Sequence, residues 1–335
     1  MTERVWAILL VVAAVAVAPD PGAAEVYRWV NARGTVTYAD RPPRPDEVAT
    51  PASVPSPERE SAVIAPPVEP LRAGPATIDE LLELSGVKAQ LPGMTSRIAG
   101  EFRPRPGQMS PKDQAAIDRI VGRTFRHEKI YALVRDEVRR RLDRAKLEAT
   151  VAWLRSPVGR KITALEIASS ETGAEQTVAA YAAGLKLNPP SGRRLELVQR
   201  LEWVSGSTEV SLDILAAITR STAKAMSAVL PPDRRLRPGQ IERQGEEVRA
   251  RASEAIAQQS LVAMLHTYRS LEDEEIEQYV RFEASEAGRR YNAAMRKAVV
   301  AAIGGVVEQT ALELVRAVPP ERWARAAAPG PARAR

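Results

Sequence analysis

The chain of 335 residues contains no cysteine and two histidines, His127 and His266. Disulfide bonds, zinc sites built on thiolates and the acylated cysteine of a lipoprotein are therefore excluded. We expect neither histidine to be a metal ligand. The sequence also lacks a phosphate-binding loop and a G-x-S-x-G nucleophile motif. These absences predict a protein without a cofactor, a metal site or an identifiable catalytic residue.

Aromatic residues are scarce, at 4% of the chain, whereas Ala, Leu, Val, Arg and Glu are abundant. This composition favours helices over sheets. The length allows two or three domains, each large enough to bury its own core. We therefore predict a mainly α-helical protein that folds through packing alone.

Long apolar runs are also lacking, apart from one near the N-terminus. Val5 to Ala18 forms an apolar segment of 14 residues after a short basic start, and small residues at positions 22–24 offer a cleavage site. A membrane-spanning helix needs roughly 20 residues. The segment predicts a signal peptide over residues 1–24, cleaved near Ala24, and an exported, periplasmic protein. A retained, uncleaved anchor is the alternative, and we predict no membrane span in the mature chain.

The chain carries a net charge of +6, which becomes +7 once Glu3, Arg4 and Asp20 are removed with the signal peptide. Such a surface favours anionic partners such as phospholipid head groups or wall polymers. The alternative is charge that serves solubility alone. Export argues against nucleic acid as a partner, and we expect Arg139–Arg141 to form a solvated helix face.

Residues 25–43 read as a small β-hairpin, with strand-forming residues on either side of Asn31–Gly34. The segment from Val26-Tyr27-Arg28-Trp29-Val30-Asn31 to Tyr38-Ala39-Asp40-Arg41-Pro42-Pro43 resembles a bacterial envelope family, domain of unknown function 4124. Members of that family open after a signal peptide with Y-x-W-V-D, a Gly and Y-S-D-x-P-P. Asn31 and Ala39 depart from this pattern. The resemblance implies an envelope protein and brings no catalytic residues.

Ten prolines from Pro42 to Pro75 mark residues 44–76 as an extended linker that cannot bury enough apolar surface to fold. The linker predicts that the hairpin and the helical part of the chain are independent. The tail at 319–335, rich in Ala, Pro and Arg, is predicted to be disordered.

A short segment occurs twice at constant register. Trp153-Leu154-Arg155-Ser156-Pro157-Val158-Gly159-Arg160-Lys161 returns 129 positions later as Phe282-Glu283-Ala284-Ser285-Glu286-Ala287-Gly288-Arg289-Arg290. Two further matches keep the same order. Leu84-Ser85-Gly86 resembles Val204-Ser205-Gly206, and Arg105-Pro106-Gly107-Gln108 recurs as Arg237-Pro238-Gly239-Gln240. We therefore predict two tandem helical-bundle repeats of short antiparallel helices, over residues 77–190 and 191–318.

Each copy of this motif reads as a helix, a break and a second helix. Ser156 is expected to cap a new helix whose first residue is Pro157, and Ser285 plays the same part in the second copy. Gly159 and Gly288 would then lie one turn inside a helix, where glycine costs about 1 kcal/mol relative to alanine. The recurrence of that cost indicates close approach of another backbone.

A basic pair closes each copy, Arg160-Lys161 in the first and Arg289-Arg290 in the second. These pairs either receive an acidic partner or form internal ion pairs, for instance with Glu148 or Glu277, which stand at equivalent positions. The candidate partner-binding or structural motif comprises Trp153, Ser156, Pro157, Gly159, Arg160, Lys161, Phe282, Ser285, Gly288, Arg289 and Arg290.

The first copy is similar to the core of a second family, domain of unknown function 2059, which reads F-Y-x-S-P-x-G-x-K after an acidic helix. Trp153, Ser156, Pro157, Gly159 and Lys161 carry the match. The second copy departs from it, with Glu286 in place of Pro and Arg290 in place of Lys. The resemblance implies a helical, exported bacterial protein without an assigned biochemical role.

Taken together, these features favour a non-catalytic envelope protein that binds a protein or a wall-associated partner. Two alternatives stay open. A hydrolase acting on envelope polymers would use carboxylates that the sequence does not identify, and would have a cleft lined by several of them. A periplasmic holdase would need an exposed apolar groove.

Overall fold

A computed structural model describes residues 27–30, 36–39, 75–104, 109–171, 173–318 and 322. The predicted signal peptide, the linker before Pro75, the first Arg-Pro-Gly-Gln segment and the tail apart from Arg322 lie outside these residues. The predicted hairpin is represented by β1 (Tyr27–Val30) and β2 (Val36–Ala39), which pair antiparallel. Tyr27 lies opposite Ala39, and Val30 lies opposite Val36. The predicted turn at 31–34 lies outside the described residues.

The chain from Pro75 onwards forms a separate compact unit, the helical body. Its described part is built almost entirely of helices, so the mainly α prediction is confirmed. The α-helices are α1 (Ile78–Leu84), α2 (Val87–Glu101), α3 (Pro111–Thr124), α4 (His127–Arg141), α5 (Arg144–Leu154), α6 (Pro157–Ser169), α7 (Ala174–Gly184), α8 (Gly192–Ser205), α9 (Ser207–Ala228), α10 (Pro238–Thr267), α11 (Asp273–Ala284) and α12 (Glu286–Ala317). A single 3₁₀ turn, Pro232–Arg234, lies between α9 and α10.

Capping residues set where many of these helices begin. The Thr77 hydroxyl accepts from the Glu80 backbone N–H at 3.1 Å, and Ser110 caps α3 in front of Pro111. These contacts satisfy backbone donors that a helix start leaves free. Four acidic residues, Glu272–Glu275, lie at the start of α11. Glu272 is the capping residue, and the Glu275 side chain accepts from its backbone N–H.

Two hydrophobic clusters fill the helical body. The larger one joins α1–α5 to α9 and α12, and the smaller one joins α6 to α8, α10 and α11. Each cluster therefore takes helices from both sides of residue 190, where the sequence predicts a boundary between the two repeats. In the packing of the helical body, that position is not a boundary.

Two helices are much longer than the short helices expected from the sequence. Helix α10 has 30 residues and α12 has 32, whereas α6, which begins at the position equivalent to the start of α12, has 13. Helix α6 ends at Ser169 before Gly173, but the equivalent positions in α12 hold Ala298 and Ala302. Alanine favours helix continuation, and serine and glycine do not.

Helix α12 is long and apolar enough to cross a membrane by length and composition, the one such helix among the described residues. Half of the most apolar 18-residue stretch of this helix is buried within the helical body. Ile303, Val306 and Val307 in that helix are at most 2% exposed. This burial is the property of a core helix, since its apolar face already packs against protein.

Candidate functional site

The two copies of the repeated motif form two helix–break–helix units, α5 with α6 and α11 with α12. The Ser156 hydroxyl accepts from the Gly159 backbone N–H at 3.0 Å, and the Ser285 hydroxyl accepts from the Gly288 N–H at 3.1 Å. Pro157 is the first residue of α6. The capping predicted for both copies is therefore present in the structure.

Gly159 and Gly288 lie where the second helix of each unit presses on the end of the first. A Cβ at Gly159 would overlap the Trp153 carbonyl oxygen and come within 3.0 Å of the Leu154 Cα. A Cβ at Gly288 would overlap the Phe282 carbonyl oxygen and come within 2.9 Å of the Glu283 Cα. Both contacts are with backbone atoms, which cannot rotate away. The predicted close approach of another backbone thus explains both glycines.

The two units meet through their aromatic residues. The Trp153 ring stacks on Phe282 with centroids 4.1 Å apart and planes inclined by 10°. Trp153 also stacks on Tyr279, at 5.3 Å between centroids. Trp153 and Phe282 stand at equivalent positions of the repeat, so the two copies contact each other through the same position.

A second pair of equivalent breaks lies nearby. Gly86 follows α1 with φ of 73°, and Gly206 follows α8 with φ of 65°. Glycine adopts this left-handed conformation without steric cost, which suits it to end one helix and begin another. The residues before them, Ser85 and Ser205, both face the cavity described next.

The repeated segments line a partly open cavity of about 110 Å³. Ten of its lining residues are five repeat-equivalent pairs, and the other two are Glu166 and Tyr279. The pairs are Ser85 with Ser205, Trp153 with Phe282, Leu154 with Glu283, Ile162 with Tyr291, and Thr163 with Asn292. Equivalent residues of both copies thus lie around one cavity.

The two copies differ in chemistry at two of these paired positions. The first copy contributes Leu154 and Ile162, which are almost fully buried. The second copy places Glu283 and Tyr291 at the equivalent positions, and Glu283 is only 3% exposed. Because burying a carboxyl group costs free energy, Glu283 is unfavourable for folding alone.

Two carboxyl groups face the cavity. Glu166 Oε1 accepts hydrogen bonds from the hydroxyls of Tyr268, at 2.7 Å, and Tyr279, at 2.9 Å. Glu283 accepts a hydrogen bond from the Asn292 side-chain amide. Burial raises the pKa of Glu166, and burial together with the charge of Glu166 raises the pKa of Glu283 to about 7. The pair therefore resists carrying two negative charges at neutral pH.

Phenol and hydroxyl groups surround the two acids. Burial raises the pKa of Tyr268 and Tyr279 well above the usual value, and the negative charge of Glu166 adds to the effect. Both phenols therefore remain hydrogen-bond donors at neutral pH. Burial also raises the pKa of Tyr291, which the nearby Ser85 hydroxyl opposes. The buried Ser85 Oγ has no hydrogen-bond partner within the described residues.

The basic pairs lie outside the cavity. Lys161 Nζ forms an ion pair with Glu275 Oε2 at 2.6 Å, and Arg289 donates to the Ala284 carbonyl oxygen. The partners suggested from the sequence are wrong, because Glu148 pairs with Arg144 and Glu277 with Arg193. Glu148 and Glu277 each lie 12 residues before the basic pair of their own copy, whereas Glu275 reaches Lys161 from the first turn of a helix in the other copy.

Arg160 and Arg290 are exposed and form no ion pair with other described residues. The Arg139–Arg141 run ends α4, where all three guanidinium groups pair with Asp136 or Glu137 of the same helix. Cations at the end of a helix also interact favourably with its dipole. Arg160 and Arg290 are thus the members of the two basic pairs left available to a partner.

Neither histidine joins the cavity. His127 is exposed beside Glu128, and His266 packs edge-on against Tyr181 with centroids 5.3 Å apart. Within the described ranges, no group of three or more His, Asp or Glu side chains is placed to hold a metal ion.

Sequence reasoning identified Trp153 and Phe282 of the cavity but missed Glu166, Glu283 and their tyrosine partners. One signal for Glu283 was available. Position 283 is equivalent to Leu154, so a carboxyl group replaces an apolar residue on the buried face of a duplicated helix. For Glu166 no signal of this kind exists, because its equivalent, Met295, lies outside the cavity lining.

The N-terminal part of the chain is similar to a known family. Residues 13–67 match the family described as Domain of unknown function (DUF4124), in agreement with the resemblance of the N-terminal segment. No curated protein and no solved structure matches the chain. The family match covers the segment before the helical body and assigns no role to the cavity.

Proposed function

We propose that the protein is exported to the bacterial envelope and acts there as a non-catalytic binding protein, whose helical body receives a small group of a partner in the cavity. Export is supported by the apolar segment Val5–Ala18 and by the N-terminal family match. Binding is supported by one observation above all, the two carboxyl groups of Glu166 and Glu283 that line the cavity with no Lys, Arg or His beside them among the described lining residues. The arrangement weakens the fold and offers hydrogen-bonding groups to a ligand.

The size of the cavity limits what it can receive. A volume of about 110 Å³ is well below the roughly 300–1,000 Å³ of typical ligand pockets. It admits the end of a side chain or a small terminal group and does not admit a polymer chain. The remaining contacts of a partner would then lie on the outer surface of the helical body, where Arg160 and Arg290 are exposed.

Capture of the partner from its natural setting tests this function. The full-length protein, tagged at its C-terminus, would be crosslinked in cells, purified from envelope fractions and analysed by mass spectrometry. We expect a dominant partner that is lost in Glu283→Leu, which gives the second copy the residue of the first. Glu274→Gln is the matched control, because Glu274 lies on the same helix, has a side chain that is 69% exposed and lies outside the cavity. Equal capture by Glu283→Leu and wild type would refute a role for the cavity.

The exposed basic residues need a separate variant. Replacing all four basic residues by Ala would also break the Lys161–Glu275 ion pair, so Arg160→Ala with Arg290→Ala is the cleaner change. We expect weaker capture and an unchanged melting temperature. Fractionation of cells gives the test of export, with deletion of residues 1–24 expected to retain the protein in the cytoplasm.

The second candidate is the hydrolase acting on envelope polymers. The observation that favours it is the pair Glu166 and Glu283, since a carboxyl group with a pKa of about 7 is suited to donate a proton. The small cavity argues against it. A hydrolase would release soluble fragments from purified wall material, and Glu283→Gln would abolish the release. The holdase alternative has less support, because the exposed large apolar side chains of the described residues, Leu133, Leu187, Trp203 and Val229, lie on four different segments.

A further inference from the structure

The two carboxyl groups of the cavity differ from two other acids of the helical body. Asp113, 6% exposed, pairs with Arg322 at 2.7 Å, and the partly buried Asp213 pairs with Arg296 at 2.6 Å. No lysine, arginine or histidine lines the cavity among the described residues. The partly buried Glu166 and the buried Glu283 thus face the cavity without a positively charged neighbour. Burial favours the neutral form of both acids, and a cation in the cavity would favour their ionised form.

The remaining lining residues suit a cation on an alkyl stem. Trp153 stacks on Tyr279 and on Phe282 at the side of the cavity, and the three rings form an apolar contact surface for an alkyl stem. The Tyr268 and Tyr279 hydroxyls both bind Oε1 of Glu166, which leaves Oε2 as an acceptor within the described structure. An anion would meet two carboxyl groups here and would be repelled.

The cavity also offers a third hydrogen-bond acceptor, which indicates how many hydrogen-bond donors the ligand carries. Ser85 is 8% exposed, lines the cavity and has an Oγ without a hydrogen-bond partner in the described part of the chain. A buried hydroxyl left unpaired costs free energy that a ligand donor would recover. A primary ammonium group carries three N–H donors and no acceptor. Two carboxylates and one hydroxyl match that set.

We propose that the cavity binds a primary alkylammonium group, with Glu166 and Glu283 as its counterions and the Ser85 hydroxyl as the third acceptor. The cavity volume of about 110 Å³ suits a compact ammonium on a short alkyl stem better than the larger planar guanidinium of arginine. The proposal rests on the proposed function, because it names the group of the partner that enters the cavity. That group belongs either to a lysine side chain or to a free amine.

Titration with small amines tests the chemistry directly. n-Butylammonium would be added to the full-length protein and followed by calorimetry and by the Trp153 indole signal in ¹H–¹⁵N NMR, assigned with Trp153→Phe. We expect saturable binding and a rise in melting temperature. Butyrate and n-butanol, which have the same stem without the positive charge, should give neither effect. A second arm compares Nα-acetyl-lysine amide with its Nε-acetylated form, and tighter binding of the former than of n-butylammonium would indicate a lysine side chain.

The variants separate binding from folding. Glu283→Leu is expected to fold, because leucine occupies the equivalent place in the first copy, and to lose the response to n-butylammonium. Glu283→Gln provides the same test with unchanged volume, and Glu274→Gln should respond like wild type. An equal response of Glu283→Leu and wild type, or an equal effect of butyrate, would overturn the proposal.

The two proposals can fail separately. If n-butylammonium does not bind but Glu283→Leu still loses the captured partner, the ammonium assignment is wrong and the binding function stands. If n-butylammonium binds and Glu283→Leu captures the partner normally, the cavity binds a free amine and the proposed function is wrong.

Discussion

At the scale of single residues, Glu283 is the most unusual residue for the position that it occupies. Its equivalent in the first copy is Leu154, and both side chains are at most 5% exposed. Exchanging leucine for a carboxyl group at a buried position destabilises the fold unless the group is neutral or paired. Asn292 supplies one hydrogen bond and no charge. The residue is therefore better explained by what enters the cavity than by the packing around it.

The acid also makes stability depend on pH. The pKa of Glu283 is raised from 4.5 to about 7, so between these values the folded protein keeps a proton that the unfolded chain has released. The free energy of unfolding then decreases as pH rises through this range and levels off above pH 7. Since one pKa unit corresponds to about 1.4 kcal/mol, we expect a loss of about 3 kcal/mol. Glu166, whose pKa is also raised, adds to the loss.

Denaturant unfolding of wild type and Glu283→Gln from pH 4.5 to 8 measures this effect. The difference between the two proteins should grow with pH in favour of the variant. Burial lowers the pKa of His266, so its effect on the free energy of unfolding has the opposite sign. Because His266 is present in both proteins, its contribution cancels in the difference between them. Asp213 and Glu275 have lowered pKa values, so their contributions are lost below pH 4.5. A difference that stays constant with pH would show that Glu283 is ionised normally in the folded protein.

At the scale of elements, local signals predicted the helix starts well and the lengths poorly. A helix starts at Ser156 with Pro157, and another helix ends at Gly86, through conformations and contacts within a few residues of each position. A short sequence motif therefore contains all the residues that make these helix breaks. Helix α12 is long because it continues without a break past the positions at which α6, its equivalent in the first copy, has already ended. The cavity was less predictable still. Glu166 and Glu283 lie on different helices and are brought together by packing that no local pattern records.

The break between α11 and α12 gives a test at this scale. Gly288→Ala would force a Cβ against the Phe282 carbonyl oxygen, and we expect it to lower the free energy of unfolding by about 1–3 kcal/mol. Gly305→Ala is the control in the same helix, because a Cβ there would meet no atom within 4 Å. Alanine improves helix propensity, so this control should raise stability by up to about 1 kcal/mol.

Thermal and urea unfolding followed by circular dichroism would compare the two variants. If Gly288→Ala were as stable as Gly305→Ala, the backbones at the break would have to separate without cost. The recurrence of glycine at 159 and 288 would then need another explanation.

At the scale of the whole molecule, the duplication and the packing give different divisions of the chain. The sequence divides at residue 190, but the larger cluster joins α1–α5 to α9 and α12, and the smaller cluster joins α6 to α8, α10 and α11. Helix α12 of the second repeat packs against α4, and α11 packs against α6. Each repeat thus supplies apolar faces that the other one covers. The cavity forms where these shared surfaces meet, so it requires both repeats.

This arrangement predicts how the two halves behave when they are separated. Residues 75–190 and 191–318, produced as separate chains, would each expose the apolar face that the other half normally covers. We expect neither half to show a cooperative thermal transition alone, and we expect an equimolar mixture to regain one. Circular dichroism and size-exclusion chromatography measure both outcomes, with n-butylammonium binding as a readout of the rebuilt cavity. Cooperative unfolding of either half alone would show that the repeat is an independent domain, and that the shared clusters join two stable bundles.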